Sequence, residues 1–288
     1  MGPASSTSCL MTCRTRLSSS VTMGHGPVES LRNRSGIMAC DTARRRHMQH
    51  TQYISTRGQM APAGFMDVLL AGLAPDGGLA VPERLPALTP EQLETWRSLN
   101  YAELATEVIG LFATDIPRED LAALTRAAYG ESRFPQPVVP VTGLDDVANG
   151  LVLVGLSEGP TMAFKDLAMQ FLGQAIPYVL AKQGKVLNIL GATSGDTGSA
   201  AEHAFRGQEG VSVFMLSPAG RMSPVQRAQM YTLQDANIHN IAVRGVFDDC
   251  QALVKALSND ADFKAAHHLG AVNSINIGRI AAQAVYYV

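Results

Sequence analysis

Lys185-Val186-Leu187-Asn188-Ile189-Leu190-Gly191-Ala192-Thr193-Ser194-Gly195-Asp196-Thr197-Gly198, residues 185–198, runs from a short apolar stretch into a loop of Gly, Ser and Thr. The apolar part predicts a strand over 185–190, and the residues after the loop predict a helix over Ser199–Arg206. The same alternation continues on both sides. Upstream, a strand at Leu151–Val154 precedes a helix from about Asp166 to Gln183. Downstream, strands at Val211–Leu216 and Ile238–Val243 alternate with helices at Pro224–Leu233 and Phe247–Ser258. Strands alternating with helices imply right-handed crossovers and a parallel sheet, so the fold class is α/β, a parallel-sheet layered fold. Such folds gather ligands at the carboxyl ends of strands, which is where the 191–198 loop lies.

The N-terminal part reads differently. Residues 53–82 are Gly-rich, with Phe65, Val68, Leu69 and Leu73 at helical spacing. Residues 90–130 read as helices, one opened by Pro90 and one by Pro117-Arg118-Glu119-Asp120, whose acids suit the positive end of a helix. Phe134-Pro135-Gln136-Pro137 and Pro140 predict an extended connection. The expected organisation is an extension over 1–47, a small helical N-terminal domain over 48–135, and an α/β domain over 136–288. The final helix, Ile277–Val288, stops at Tyr286-Tyr287-Val288 without Gly or a basic last turn. That pattern predicts a packing partner beyond Val288.

Composition narrows the function classes. The chain has 288 residues, 46% hydrophobic and 17% charged, with a mean hydropathy of +0.06. That excludes wholesale disorder. No stretch approaches the roughly 18 uninterrupted apolar residues of a membrane span, so no membrane partner is expected. A net charge of -2 gives no basic footprint, so no nucleic-acid partner is expected either. The charges are unevenly spread: seven of the 23 basic residues but only Glu29 and Asp41 of the acids fall in residues 1–47. Arg- and Ser-rich, acid-poor composition reads as an organelle transit peptide or as an over-extended start ahead of Met48. No apolar core of a secretory signal follows the charges. Cys9, Cys13 and Cys40 lie in that extension, leaving Cys250 as a single thiol in the body, expected to be buried in a reducing compartment. The expected location is the cytoplasm, or an organelle if 1–47 is a transit peptide, and the expected assembly a monomer or homodimer.

Two motifs carry chemistry. In the 191–198 loop, backbone N–H groups at a helix start make an anion site, glycines permit close approach, and Thr193, Ser194 and Thr197 add hydroxyl donors. No Lys-Ser/Thr follows, so this is not a P-loop, and it does not fit GxGxxG. The plain alternative is a tight, capped strand-to-helix turn. The second motif is Gly159-Pro160-Thr161-Met162-Ala163-Phe164-Lys165-Asp166. Lys165 is one of five lysines in the body and sits in an apolar run at a helix start. Desolvation and a positive helix end both create a usable amine, which a Schiff-base lysine needs. The alternative is a solvated lysine paired with Asp166. His203, His239, His267 and His268 are not at metal-ligand spacing, and no metal is expected.

At this point the residues resemble a family. The segment 159–166 is similar to the cofactor-lysine segment of threonine synthases, and 191–198 to the substrate-side loop of the same family. Tyr53–Gly58, Asp76-Gly77-Gly78-Leu79, Gly220–Met230, Phe247-Asp248-Asp249-Cys250 and Asn273-Ser274-Ile275-Asn276 match its pattern in order. The resemblance runs from about Met48 to Val288. It implies a fold type II pyridoxal-phosphate lyase core, incomplete here, that converts O-phosphohomoserine and water to threonine and phosphate. Lys165 then matches the lysine that carries the cofactor as an internal aldimine and later moves protons at the substrate carbons. Thr193, Ser194 and Thr197 match the grip on the substrate carboxylate. Asp196 stands where related enzymes carry Asn near the cofactor's phenolic oxygen. Asn273, Ser274, Asn276 and Arg279 are candidates for the leaving phosphate, with a plain helix cap as the other reading of Asn273. The family's glycine-rich loop for the cofactor phosphate and its polar residue facing the pyridine nitrogen have no match. The expectation is that these residues alone bind the cofactor weakly and do not turn over. A threonine or serine dehydratase, a cysteine-forming synthase, or a non-catalytic paralogue that binds a phosphorylated metabolite are the alternative readings.

Overall fold

The computed structural model describes residues 50–270 and 275–288; the 1–47 extension with its three cysteines, and Asn273 and Ser274, lie outside the described residues. In chain order the elements are β1 (Tyr53–Ser55), α1 (Phe65–Ala71), β2 (Ala80–Pro82), α2 (Pro90–Trp96), α3 (Tyr101–Gly110) and α4 (Arg118–Tyr129). Then follow β3 (Val141–Gly143), β4 (Val152–Val154), α5 (Lys165–Gln183), β5 (Leu187–Ala192), α6 (Asp196–Phe205), β6 (Val211–Pro218), α7 (Pro224–Tyr231) and β7 (Ile238–Val243). The last are α8 (Phe247–Asn259), α9 (Ala261–Ala266), β8 (Leu269–Gly270) and α10 (Ile277–Ala284), which ends in a 3-10 turn over Val285–Tyr287.

Residues 50–140 and 154–288 make one compact unit. Its centre is a parallel sheet in the order β7-β6-β5-β8. Alternation along the strands sorts side chains to two faces. Ile189, Val211, Val213 and Met215 join the main core with Leu172 and Ile176 of α5 and Ala200, Ala201 and Ala204 of α6. Leu190 and Leu216 point the other way and pack with the buried, free Cys250 of α8. Helices therefore cover both faces, as a parallel sheet requires. Helices α5 and α6 pack closely: a Cβ on Gly173 would lie 2.3 Å from the Ala204 carbonyl oxygen.

The N-terminal helices extend the same core. Tyr129 of α4 donates its hydroxyl to the Leu167 carbonyl of α5 at 2.8 Å, and Asp120 accepts from Tyr178 and Lys182 of α5. Strands β1 and β2 pair antiparallel, and Asp76 accepts from the Ser55 hydroxyl and from the N–H groups of Gln59 and Gly78. Asn276 ties the two ends of this unit together. Its side-chain oxygen accepts from the Gly278 N–H and caps α10, while its Nδ2 donates to the Leu69 carbonyl near the end of α1 at 2.8 Å.

Residues 141–153 fall in the second unit. Strands β3 and β4 pair with each other, and all six of their residues are exposed. The expected strand at 151–154 is thus present but does not join the parallel sheet. A short apolar run does not say which face it buries. Two further differences have local causes. Strand β5 keeps Gly191 and Ala192 in the ladder, opposite Met215 and Leu216, and α6 begins at Asp196, so the loop shrinks to three residues. Helix α9 and the two-residue β8 follow α8 where no further element was expected.

Glu202 of α6 is fully buried. Its Oε2 accepts from Asn240 Nδ2 at 3.2 Å, while its Oε1 and Asn240 Oδ1 lack partners. Burial, only partly offset by the Asn240 bond, pushes its carboxyl up to about 8. An unfolded Glu titrates near ~4.3. Between these values the folded chain holds more protons, so Glu202 lowers stability progressively as pH rises through that window. Glu202→Gln should satisfy both orphan atoms of the pair. Its stability gain over the parent should be small at pH 4 and grow to about a few kcal/mol by pH 9. Urea midpoints at pH 4, 6.5 and 9 check this; a gain independent of pH would contradict it.

Candidate functional site

The sheet order places a reversal of winding at β5. Strands β5, β6 and β7 advance in one direction, and β8 returns to the opposite side of β5. Ligands of open α/β sheets bind at such a switch point, beyond the carboxyl ends of the strands. The turn Thr193-Ser194-Gly195 leaves β5 at that end and opens α6.

Thr193 builds the turn. It is buried, and its hydroxyl oxygen accepts from the N–H groups of Gly195 at 3.0 Å and Gly198 at 2.9 Å. The hydroxyl itself donates to the Gly195 carbonyl at 3.1 Å. This side chain therefore supplies the capping that the start of α6 needs. Ser194 is exposed and Thr197 half-buried, and neither hydroxyl makes a hydrogen bond among the described residues. These two remain free to meet a ligand, whereas Thr193 acts through the backbone it shapes.

Lys165 reaches the same place from α5. The turn before it is held by Asp166, a fully buried carboxylate that accepts from the Thr161 N–H at 2.8 Å and the Thr161 hydroxyl at 2.7 Å. Burial raises the Asp166 carboxyl against the lowering effect of those bonds. Met162, within that turn, has a φ of 56°, uncommon for a residue with a Cβ. Lys165 therefore does not pair with Asp166. Its Nζ lies 3.3 Å from Asp196 Oδ2 and 5.4 Å from the centre of the Phe164 ring. The Lys165 side chain is 20% exposed and that of Asp196 49%. Partial burial works against the Asp196 charge, yet the Gln226 hydrogen bond and the Lys165 charge leave its carboxyl below the usual range.

Helix α7 adds residues that the spacing of the two motifs did not reveal. Gln226 Nε2 donates to Asp196 Oδ1 at 2.6 Å. Gln229, on the next turn, accepts from the Ser199 hydroxyl at 3.0 Å and donates to the Thr161 carbonyl at 3.0 Å. The His203 ring nitrogen lies 3.1 Å from the Gln229 carbonyl. The signal in the sequence was the spacing Gln226-x-x-Gln229, which puts both amides on one face of a helix.

The remaining candidates lie elsewhere. Asn276 is 1% exposed and both ends of its side chain are committed to helix ends. Arg279 is 3% exposed, with no acceptor for Nε or Nη1, and burial lowers its guanidinium. Among the described residues no hydrogen bond or ion pair joins either residue to Lys165, whose Nζ pairs with Asp196. Among the described residues no group of His, Cys, Asp and Glu could hold a metal, and no helix is long and apolar enough to cross a membrane.

A family profile described as "Threonine synthase N terminus" matches residues 52–129. The threonine synthase of Corynebacterium glutamicum is 57% identical over 242 residues, covering 82% of this chain and 50% of that protein. The threonine synthase of Methylobacillus glycogenes is 54% identical over 241 residues, with 82% and 51% covered. A crystal structure of threonine synthase from Brucella melitensis with pyridoxal phosphate bound superposes with a TM-score of 0.78 at 45% identity. That match covers 82% of this chain and 50% of the other. The chain spans about half the length of the relatives it matches.

Gly195 is where the turn and α7 come closest. Its φ is 149°, and a Cβ there would fall 2.3 Å from Gln226 Cδ. Gly195→Ala should cost about 1–3 kcal/mol, read as a lower denaturant midpoint. An unchanged midpoint would show that the turn and α7 are not in close contact.

Proposed function

This chain belongs to the threonine synthase family, and on that premise we propose that Lys165 is the amine of a pyridoxal-phosphate site. The reaction is conversion of O-phosphohomoserine and water to threonine and phosphate. The observation that carries the proposal is the meeting of Lys165 and the β5–α6 turn across the Asp196 carboxylate, 3.3 Å from Nζ, at the reversal of the sheet.

The residues present fit the aldehyde end of that cofactor. A primary amine is four-fifths shielded but still open to solvent, and a single carboxylate balances its charge. Bound there, the cofactor would supply an electron sink for charge developing at the substrate carbons. The chain's own residues do the rest. Lys165 Nζ would be the residue that holds the cofactor's aldehyde end, and its amine would carry protons to and from the substrate carbons. Asp196 sets the direction of that amine. Ser194 and Thr197, with the first-turn N–H groups of α6, receive the substrate carboxylate, since a helix start favours an anion. Thr193 keeps those N–H groups in place. Arg279 is the candidate for the departing phosphate, because two of its buried N–H groups lack an acceptor. Asn273, Ser274 and Asn276 are proposed for the same phosphate from the family pattern.

The proposal places the protein in the cytoplasm, as a monomer or homodimer acting on a small molecule. The buried free thiol of Cys250 suits a reducing compartment.

Incubation with pyridoxal phosphate, borohydride reduction and peptide mapping test the assignment. One pyridoxyl group per chain is expected on Lys165, with the other four lysines unlabelled and no label in Lys165→Ala. Labelling spread over several lysines would overturn it.

A further inference from the structure

Two motifs far apart in sequence meet at this site, and one short helix holds both. Gln229 of α7 donates to the Thr161 carbonyl, beside the turn that launches Lys165. Gln226, one turn earlier on the same face, donates to Asp196 Oδ1, opposite the oxygen that faces Lys165. Helix α7 is itself fixed at its start. Ser223 caps it by accepting from the Gln226 N–H at 3.2 Å, and the Ser223 hydroxyl donates to Gln226 Oε1 at 2.9 Å. The amide of Gln226 is thereby oriented, with Oε1 engaged by Ser223 and Nε2 left to point at Asp196.

Asp196 needs such a restraint. Its side chain is half exposed, and an ion pair between partly exposed groups has little orientational hold of its own. A second, directed hydrogen bond on the other carboxylate oxygen turns a loose pair into a fixed one. Gly195 belongs to the same device, because only a residue without Cβ lets the Gln226 amide approach the turn this closely.

We propose that Gln226 is a positioning residue of this site, which acts through Asp196 to hold the carboxylate against the Lys165 amine. The proposal deepens the assignment of Lys165 but concerns the apo chain, so its test uses no cofactor. Cyanate is the probe. The neutral Lys165 Nζ adds to the carbon of isocyanic acid and gives a carbamoyl-lysine, with the amine proton passing to nitrogen. A carboxylate that holds Nζ at 3.3 Å keeps the amine from the reagent and slows that reaction.

The rate of Lys165 carbamylation, followed by peptide mass spectrometry at pH 8, is compared in a double-mutant cycle. Gln226→Met keeps the length of the side chain and removes the donor. It should speed the modification of Lys165 about two- to fivefold, the range of a partly exposed ion pair, and leave Lys255 unchanged. Asp196→Asn should speed it by a similar factor, and adding Gln226→Met to Asp196→Asn should do nothing more. Gln226→Leu removes both polar atoms of the amide and should accelerate the reaction by the same factor as Gln226→Met. An unchanged rate in both Gln226 variants overturns the proposal. So does an acceleration that persists in full without Asp196, which would mean a general loosening of α7. Failure of pyridoxal labelling at Lys165 leaves this cycle intact, so the two assignments fall separately.

Discussion

The bond from Thr161 to the Asp166 carboxylate is the constraint on which the site rests. Asp166 is fully buried, and a buried carboxylate without donors would cost several kcal/mol. Both of its oxygens are met by one residue five positions earlier, which curls the chain into the turn that starts α5. The turn cannot relax without exposing that charge to an apolar surrounding. Lys165 is the next residue along from this anchor, so the direction of its side chain is decided before any ligand arrives. The raised Asp166 carboxyl and the left-handed Met162 are the two costs of this arrangement.

Around that anchor, polar groups form a closed circuit through three elements. Thr161 passes to Gln229, the α7 helix passes to Gln226, and Gln226 passes to Asp196 and back to Lys165. The apolar core sets α5 against α6 through Gly173 and the alanines of α6. Directed hydrogen bonds then fix the loop ends, and Thr193 does the same within the turn.

The layered α/β class was legible in the alternation of apolar runs, and the bounds of β7 agree with the observed Ile238–Val243. Capping chemistry was equally legible: Pro90 opens α2 and Ser223-Pro224 opens α7. The fate of Leu151–Val154 was not, because its partner β3 is three residues long and carries no apolar pattern of its own. The start of α6 was misplaced because Gly191 and Ala192 look like loop residues, yet their backbone pairs with β6. Lys165, Asp196 and the turn between β5 and α6 stood out as residue types. What could not be read was their mutual geometry. Asp196 meets an amine 31 residues away and an amide 30 residues away, and only the crossover of the chain brings the three together. Thr193 shows the opposite limit, since its type announces a hydroxyl donor and its burial gives that hydroxyl to the loop.

Asn276 joins the end of α1 to the start of α10 across 207 positions of sequence. A ribosome delivers Leu69 long before Asn276, so the Leu69 carbonyl lacks the Asn276 Nδ2 donor while the sheet is being made. Water must serve it in the interim, and the cleft between the first and last helices must stay open to admit that water. Closure of α1 against α10 is thus timed to the arrival of α10, and long-range closures of this kind are intrinsically slow. For a nascent chain this means that the end of α1 stays open to solvent until α10 has been made, however favourable its local packing.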